Sequence, residues 1–73
     1  MNRKLAENIN DMTEEIIRNL DNSVRLVMEQ ESDEDFRRYR LSAGRAMGII
    51  YWEIQRLIHE EYPDLTPPGL RKE

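Results

Sequence analysis

Apolar residues recur through the first thirty positions at the spacing of one helix face. The steps between them are three or four residues, which matches the 3.6-residue turn of an α-helix and not the alternation of a strand. Ile17 and Met28 widen the stripe toward the breadth expected of a helix that faces a core. The pattern predicts a first helix over about residues 3–30, whose stripe consists of Leu5, Ile9, Met12, Ile16, Leu20, Val24 and Val27.

A second helix is predicted over about residues 33–61. Ser32 is a favourable N-cap residue, and the three acids that follow it suit the positive end of a helix dipole. The helix ends before Pro63, because the residue that precedes a proline is disfavoured in the helical conformation. Helical spacing again relates the apolar positions, which are Phe36, Tyr39, Ala43, Met47, Ile50, Ile54, Leu57 and Ile58.

The two predicted helices are separated by only one or two residues. A connection this short favours an antiparallel helical hairpin, and a nearly continuous bent helix is the alternative. The predicted fold class is therefore all-α, with two long helices over residues 1–62 and an extended proline-rich tail over residues 63–73. Leu65 and Leu70 of the tail are predicted to lie back on the apolar surface of the second helix.

Self-association is predicted from the breadth of the apolar stripe on the second helix. Ile49, Tyr51 and Trp52 extend the stripe past half of the circumference, which is too wide for one partner helix to cover. A second hairpin related by a two-fold axis buries the excess in a four-helix bundle. The predicted core and dimer interface comprises Ile9, Met12, Ile16, Leu20, Val24, Val27, Phe36, Ala43, Met47, Ile50, Ile54 and Leu57.

Gly44 and Gly48 lie in the interior of the second helix, where each glycine costs about 1 kcal/mol relative to alanine. That cost indicates that something approaches the helix closely at these positions. One interpretation is tight packing between helices within the hairpin or the dimer. The other is a backbone surface left open for a partner or a ligand.

The chain has one basic cluster, just after the predicted start of the second helix. The acids four positions before Arg37 and Arg38, Asp33 and Glu34, are spaced to form ion pairs with them. Three interpretations remain open: structural ion pairs within the hairpin or dimer, an acidic protein partner, and nucleic acid. The predicted partner surface consists of Arg37, Arg38, Arg40, Arg45, Tyr51 and Trp52.

The overall charge weighs against a nucleic-acid partner. A net charge of −4 and a pI near 5.0 disfavour a protein whose main ligand is a phosphate backbone. Residues 1–35 carry four bases and ten acids, whereas the remainder carries seven bases and five acids. The acidic half therefore attracts the basic half, within one chain or between subunits.

Catalytic chemistry finds little support in the sequence. His59 is the only histidine, and Arg56 stands where the Glu-x-x-His spacing of di-iron bundles requires a glutamate. We expect His59 to be an exposed or edge residue near a helix C-terminus, where a partial positive charge is favourable. We interpret the acids Asp11, Glu14 and Glu15, which point in different directions, as a solvated face rather than a Mg²⁺ site. The lack of cysteine excludes disulfides and thiolate chemistry, so we predict no metal, no cofactor and no enzymatic activity of the chain by itself.

The first residues lack the apolar stretch of a signal peptide, and no stretch approaches the ~20 residues that span a bilayer. A cytoplasmic location without membrane contact is therefore expected. We predict a non-catalytic homodimeric module that acts as an adaptor, a small regulator or an accessory subunit for another protein. The alternative is a nucleic-acid-associated regulator that uses the basic cluster. A third hypothesis, an all-α enzyme with a site across the dimer interface, requires polar residues that face inward.

Overall fold

The computed structural model describes residues 1–67, and all regular structure within them is helical. The first helix, α1, spans Arg3–Gln30. The second long helix begins with α2 at Asp33–Ile49, continues without a break through a π-helical segment at Ile50–Gln55, and ends with α3 at Arg56–Glu61. The prediction of an all-α chain with two long helices is confirmed.

Local capping sets the beginnings of both helices. The side-chain oxygen of Asn2 accepts a hydrogen bond from the Leu5 N–H at 2.8 Å. The Ser32 hydroxyl accepts one from the Asp35 N–H at 3.2 Å, and the three acids after Ser32 occupy the first turn of α2, where the helix dipole favours them. Because these signals are local in sequence, the predicted bounds agree with the structure.

The two long helices lie antiparallel. Near their connection, the hydroxyl oxygens of Ser23 and Tyr39 are 2.8 Å apart. At the other end, the Met1 amine lies 2.8 Å from the Glu61 carboxylate, and the Tyr62 hydroxyl donates to the Met1 carbonyl at 2.7 Å. Contacts at both ends establish the hairpin and exclude the alternative of a bent helix.

The π-helical segment changes which side chains of the second long helix face α1. The N–H of Arg56 bonds to the carbonyl of Tyr51, five residues back, instead of four as in an α-helix. Ile54 follows the buried Ala43 by eleven residues, which is about three α-helical turns. In a helix without the π segment, Ile54 would therefore point at α1. The extra residue places Gln55 there instead, and Gln55 is 2% exposed.

The interior of the hairpin is small and differs between its two ends. The fully buried apolar residues of the described part of the chain are Ala6, Ala43 and Ile58. The half next to the connection contains half-buried apolar side chains, among them Leu20, Val24, Val27, Phe36 and Met47. In the other half, Asn10, Thr13 and Gln55 are buried, so polar side chains occupy much of the space between the helices.

The chain turns after the second long helix. Pro63–Leu65 forms one turn of 3-10 helix, with the proline at a position where its missing N–H leaves no hydrogen bond unmade. Asp64 pairs with Arg3, whose guanidinium carbon lies 5.6 Å from the centre of the Tyr62 ring. The prediction of an extended tail is therefore wrong for residues 63–65. Residues 68–73, and with them the predicted contact of Leu70, lie outside the described residues.

The hairpin is elongated, with principal extents of 45 × 24 × 18 Å and a Cα radius of gyration of 14.5 Å. A compact chain of this length has a radius of gyration of about 11 Å. Two helices side by side form a single layer, so both sides of the hairpin are open to solvent. Within residues 1–67, none of the helices is long and apolar enough to cross a membrane.

Candidate functional site

A row of polar side chains joins α1 to the second long helix, and we call Asn10, Thr13, Gln55 and His59 the polar seam. Gln55 Nε2 donates to the Thr13 hydroxyl at 3.0 Å. That hydroxyl donates in turn to the backbone carbonyl of Ile9 at 2.9 Å. The buried Gln55 amide nitrogen is thereby paired, which matters because a buried amide without a partner costs about 1–3 kcal/mol.

Asn10 and His59 form the second link of the polar seam. His59 Nε2 lies 2.9 Å from Asn10 Oδ1, while Asn10 Nδ2 donates to the Glu14 carboxylate at 3.5 Å. Since the amide nitrogen of Asn10 faces a carboxylate, its oxygen faces the imidazole, and neutral His59 carries its proton on Nε2. His59 Nδ1 is then an acceptor, and it is buried without a hydrogen-bond partner among residues 1–67.

The surroundings of His59 favour its neutral form. Removal from water lowers the pKa of His59, and the nearby Glu14 carboxylate opposes this shift in part. The centre of the Tyr51 ring lies 6.1 Å from the centre of the imidazole. Packing against α1 makes His59 a half-buried residue of the polar seam. The prediction that positive charge is favourable at His59 is wrong, because burial favours the neutral ring.

Seven apolar side chains, five of them exposed and two half-buried, form a surface on one side of the hairpin, which we call the open apolar face. Its members are Leu5, Ile9, Met12 and Ile16 on α1, with Ile50, Ile54 and Leu57 on the second long helix. Met12 is 64% exposed and Leu57 is 55% exposed. Single apolar residues on a surface are ordinary, but a contiguous apolar patch marks an interaction site.

Helix geometry places both rows of the open apolar face on the same side of the hairpin. On both helices a member of the face precedes an inward-facing residue by one position, as Met12 precedes Thr13 and Ile54 precedes Gln55. One position is a rotation of about 100° round a helix. Because the helices run antiparallel, equal rotations turn both rows toward the same side.

The residues predicted for the core and dimer interface divide into two groups. Ala43 is buried, and seven others are half-buried: Ile9, Leu20, Val24, Val27, Phe36, Met47 and Ile50. Met12, Ile16, Ile54 and Leu57 are exposed. These four lie outside the interior of the single hairpin, because the polar seam fills the interior at their end. As residues of a dimer interface they remain a prediction.

The opposite side of the hairpin contains an open groove of about 650 Å³, lined by Glu14, Ile17, Arg18, Asp21, Met47, Gly48, Tyr51, Gln55 and Pro67. A Cβ added at Gly44 or Gly48 meets no atom within 4 Å. Neither glycine therefore serves close packing inside the hairpin. Close contact of these glycines with a second copy or another partner remains a prediction.

The arginines of the predicted partner surface, Arg37, Arg38, Arg40 and Arg45, are all exposed. Arg40 lies over the Phe36 ring, 5.8 Å from its centre. Within residues 1–67, the ion pairs expected from four-residue spacing at Arg37 and Arg38 do not form. Exposed pairs of this kind are worth so little that the long side chains stay solvated.

The two aromatic residues of the predicted partner surface differ in exposure. Tyr51 is half-buried and lines the groove, whereas Trp52 is 62% exposed. Their ring centres are 5.3 Å apart in an edge-to-face arrangement, a favourable geometry for an aromatic pair. Tyr51 thus supports the Trp52 ring, which faces solvent.

The polar seam is the feature that sequence reasoning missed. The available signal was the recurrence of Ala6, Asn10 and Thr13 at steps of four and three, a second stripe of small and uncharged residues beside the apolar one. On the second long helix the corresponding signal is hidden, because the π segment shifts Gln55 into the inward position. A stripe without charges is itself a sign of burial.

No group of three or more histidine, aspartate or glutamate side chains within the described residues is arranged to hold a metal ion. No protein-family model matches the chain, and neither a curated protein nor a solved structure matches it. The function is therefore inferred from the surfaces themselves: an all-helical hairpin with a polar interior, an open apolar face and exposed arginines.

Proposed function

We propose that the protein is a small non-catalytic interaction module that works as a homodimer, in which two hairpins join through their open apolar faces into a four-helix bundle. The observation that carries the proposal is a polar seam between the helices together with an apolar row outside it on each helix. Burial of those rows is favourable, at about 25 cal/mol per Å² of apolar surface removed from water.

The exposed area of the chain supports an extensive interface. The chain exposes 5721 Å², whereas a compact monomer of 8.8 kDa exposes about 4,800 Å². The difference, roughly 900 Å², is similar to the area of about 800 Å² that each partner buries in a stable interface. A second chain that covers the open apolar face accounts for a difference of this size.

A second copy suits the open apolar face because the face is uncharged. None of its seven members carries a charge, so no member repels its counterpart across a two-fold axis. Each helix contributes one row, as four-helix packing requires. The groove and the exposed arginines stay outside this interface, which leaves them free for the adaptor or accessory role.

Two substitutions at positions of matched exposure test the dimer: Leu57→Glu on the open apolar face and Leu41→Glu away from it. Leu57 is 55% exposed and Leu41 is 57% exposed, so neither change disturbs the hairpin interior. Leu41 precedes the buried Ala43 by two positions, which is rather more than half a turn, so it points away from α1.

The solution mass, measured by sedimentation across a wide concentration range, distinguishes the outcomes. The unaltered chain and Leu41→Glu are expected to have the mass of two chains and a melting temperature that rises with concentration. Leu57→Glu is expected to have the mass of one chain and a concentration-independent melting temperature. An unaltered chain that stays monomeric, or a Leu57→Glu variant that dimerises equally well, contradicts the proposal.

A further inference from the structure

The outer side of α2 and of the π segment carries a second exposed surface, which we call the basic face. It consists of Arg37, Leu41, Gly44, Arg45, Gly48 and Trp52. Each of them lies three or four positions from at least one other member, so they share one side of the helix. Trp52 follows Ile50 by two positions, about half a turn, and lies on the opposite side from that member of the open apolar face. The basic face and the open apolar face are therefore separate surfaces.

The basic face combines exposed apolar and exposed cationic side chains. Leu41 is 57% exposed and Trp52 is 62% exposed. Arg37 and Arg45 form no ion pair in the part of the chain that the structure describes. Their guanidinium groups are thus available to carboxylates of a partner, and an arginine can bind a carboxylate through two parallel hydrogen bonds.

Gly44 and Gly48 give the basic face a low centre between its larger side chains. No atom lies within 4 Å of a Cβ added at either glycine, so the backbone there is open to another helix. Each glycine costs about 1 kcal/mol relative to alanine within a helix, and packing inside the hairpin gives nothing in return. Close approach of a helix from outside is a use that offsets this cost.

We propose that the basic face binds an amphipathic helix of another protein, one that carries acidic residues beside its apolar stripe. Leu41 and Trp52 contact the apolar stripe, while Arg37 and Arg45 pair with the carboxylates next to it. The inference names the partner of the interaction module proposed above and rests on that proposal, but it uses a different surface from the dimer.

The distribution of charge favours another protein over a second copy of this chain. α1 is acidic, but its acids Glu7 and Asp11 lie on a different side of the helix from Met12 and the open apolar face. A second copy that presents these acids to Arg37 and Arg45 leaves Leu41 and Trp52 uncovered. The basic face therefore requires a helix with carboxylates and apolar side chains on the same side.

Trp52 is the only tryptophan of the chain, so its fluorescence reports directly on this surface. The probe is a synthetic helical peptide of about 20 residues, long enough to fold, with a leucine stripe flanked by glutamates and without tryptophan. We expect a saturable blue shift of the Trp52 emission that weakens as salt is raised from about 50 to about 500 mM. A matched peptide with lysine in place of every glutamate is not expected to bind.

Leu41→Glu and Leu57→Glu serve again as a matched pair, now with opposite roles. Leu41→Glu places a carboxylate in the basic face and is expected to weaken peptide binding at least about tenfold, whereas Leu57→Glu keeps the affinity within about twofold. The double change Arg37→Gln and Arg45→Gln is expected to weaken binding about tenfold, and the control Lys4→Gln and Arg25→Gln on α1 is not. At Gly44 an added Cβ meets no atom within 4 Å, and Gly44→Leu is expected to block the peptide without loss of helicity.

Several results overturn the proposal. The proposal fails if the acidic peptide leaves the Trp52 emission unchanged at low salt. It also fails if Leu57→Glu abolishes peptide binding while Leu41→Glu does not, because the peptide then lies on the open apolar face. Tighter binding of phosphatidylserine and phosphatidylcholine vesicles than of the peptide would identify a lipid ligand. Tighter binding of a duplex DNA of about 20 base pairs would identify a nucleic-acid ligand. If the chain alone assembles beyond a dimer at low salt, and the Arg37→Gln and Arg45→Gln changes prevent this assembly, the partner of the basic face is a second copy of the chain. If the chain binds the peptide but stays monomeric, the proposed dimer is wrong and the proposed role of the basic face still holds.

Discussion

Gln55 occupies an inward position that the apolar pattern assigns to its neighbour Ile54. It is 2% exposed, and its amide nitrogen donates to the Thr13 hydroxyl at 3.0 Å. A satisfied pair of this kind adds modestly to stability, whereas a buried amide that loses its partner is costly. The pair therefore helps to select which side of the second long helix packs on α1, because Ile54 and Leu57 compete with Gln55 for the inward position.

Thr13→Val is expected to lower the free energy of unfolding by about 1–3 kcal/mol, because it leaves the Gln55 amide buried without its acceptor. Replacing both partners, Thr13→Val with Gln55→Leu, is expected to recover most of this loss, since neither side chain then has an unmet hydrogen bond. Urea unfolding in the Leu57→Glu background keeps dimerisation out of the measurement. Losses that simply add contradict a coupled pair.

His59 makes the stability of the hairpin depend on pH. Burial lowers the pKa of His59 in the folded chain below its ordinary value of 6.5, so the unfolded chain binds the proton more readily. The stabilising contribution is therefore present above pH 6.5 and is lost as the pH falls through the folded pKa. An added proton creates a donor at Nδ1, which has no partner among the described residues.

Urea unfolding at a series of pH values between about 7.5 and about 5 measures this effect. The unaltered chain is expected to lose stability toward the acid end, and His59→Gln to vary less over the same range, because His59 is the only histidine. An NMR titration of the imidazole should give a pKa below 6.5. A pKa at or above that value contradicts the burial of a neutral ring.

At the level of elements, the π segment keeps the two ends of the second long helix in phase with α1. Ala43 and Ile58 are both buried and are fifteen residues apart, one more than four α-helical turns require. Deleting Glu53, an exposed residue of the segment, is expected to restore a regular α-helix with both residues still facing α1. The free energy of unfolding should change by less than about 1 kcal/mol, with helicity retained.

Ser42 provides the control deletion, since it is exposed and lies in the regular part of α2. Its removal rotates the start of α2 by about 100° relative to the rest and turns Phe36 and Tyr39 away from α1. We expect this deletion to cost about 2 kcal/mol or more. If the Glu53 and Ser42 deletions lower the free energy of unfolding equally, the π segment contains no extra residue.

The helix bounds could be predicted from sequence because their determinants are local. Ser32 caps α2 within three residues, and Pro63 ends the second long helix from the position after Tyr62. The inward side of that helix could not be predicted in the same way. Ile50, Ile54 and Leu57 fit an uninterrupted helix, and hydrogen bonds five residues apart leave no trace in apolar spacing.

The surfaces were predictable only in part. Exposure of the four clustered arginines follows from their charge, and the structure shows all four exposed. That Met12 and Leu57 lie outside the hairpin depends on the polar seam, which arises from contacts such as that between Asn10 and His59, 49 residues apart. A pairing over such a separation is decided by how the helices meet, not by the pattern along either one.

At the scale of the whole molecule, the dimer is predicted to be broad rather than long. Joining two hairpins through the open apolar face keeps the maximum dimension close to the 45 Å of the single chain. End-to-end association instead makes it roughly double. Small-angle scattering measures the difference, and the Leu57→Glu variant should return a radius of gyration near 14.5 Å. A scattering profile of double length contradicts side-by-side packing.

The short connection through Glu31 and Ser32 determines the order in which the hairpin forms. Ser23 and Tyr39 are 16 residues apart along the chain, whereas Met1 and Glu61 are 60 apart. Because the entropy lost in closing a loop grows with its length, contacts next to the connection form first and pairing spreads from there to the termini. We therefore expect the hairpin to close like a zipper, with the end that contains the polar seam as the last part to fold.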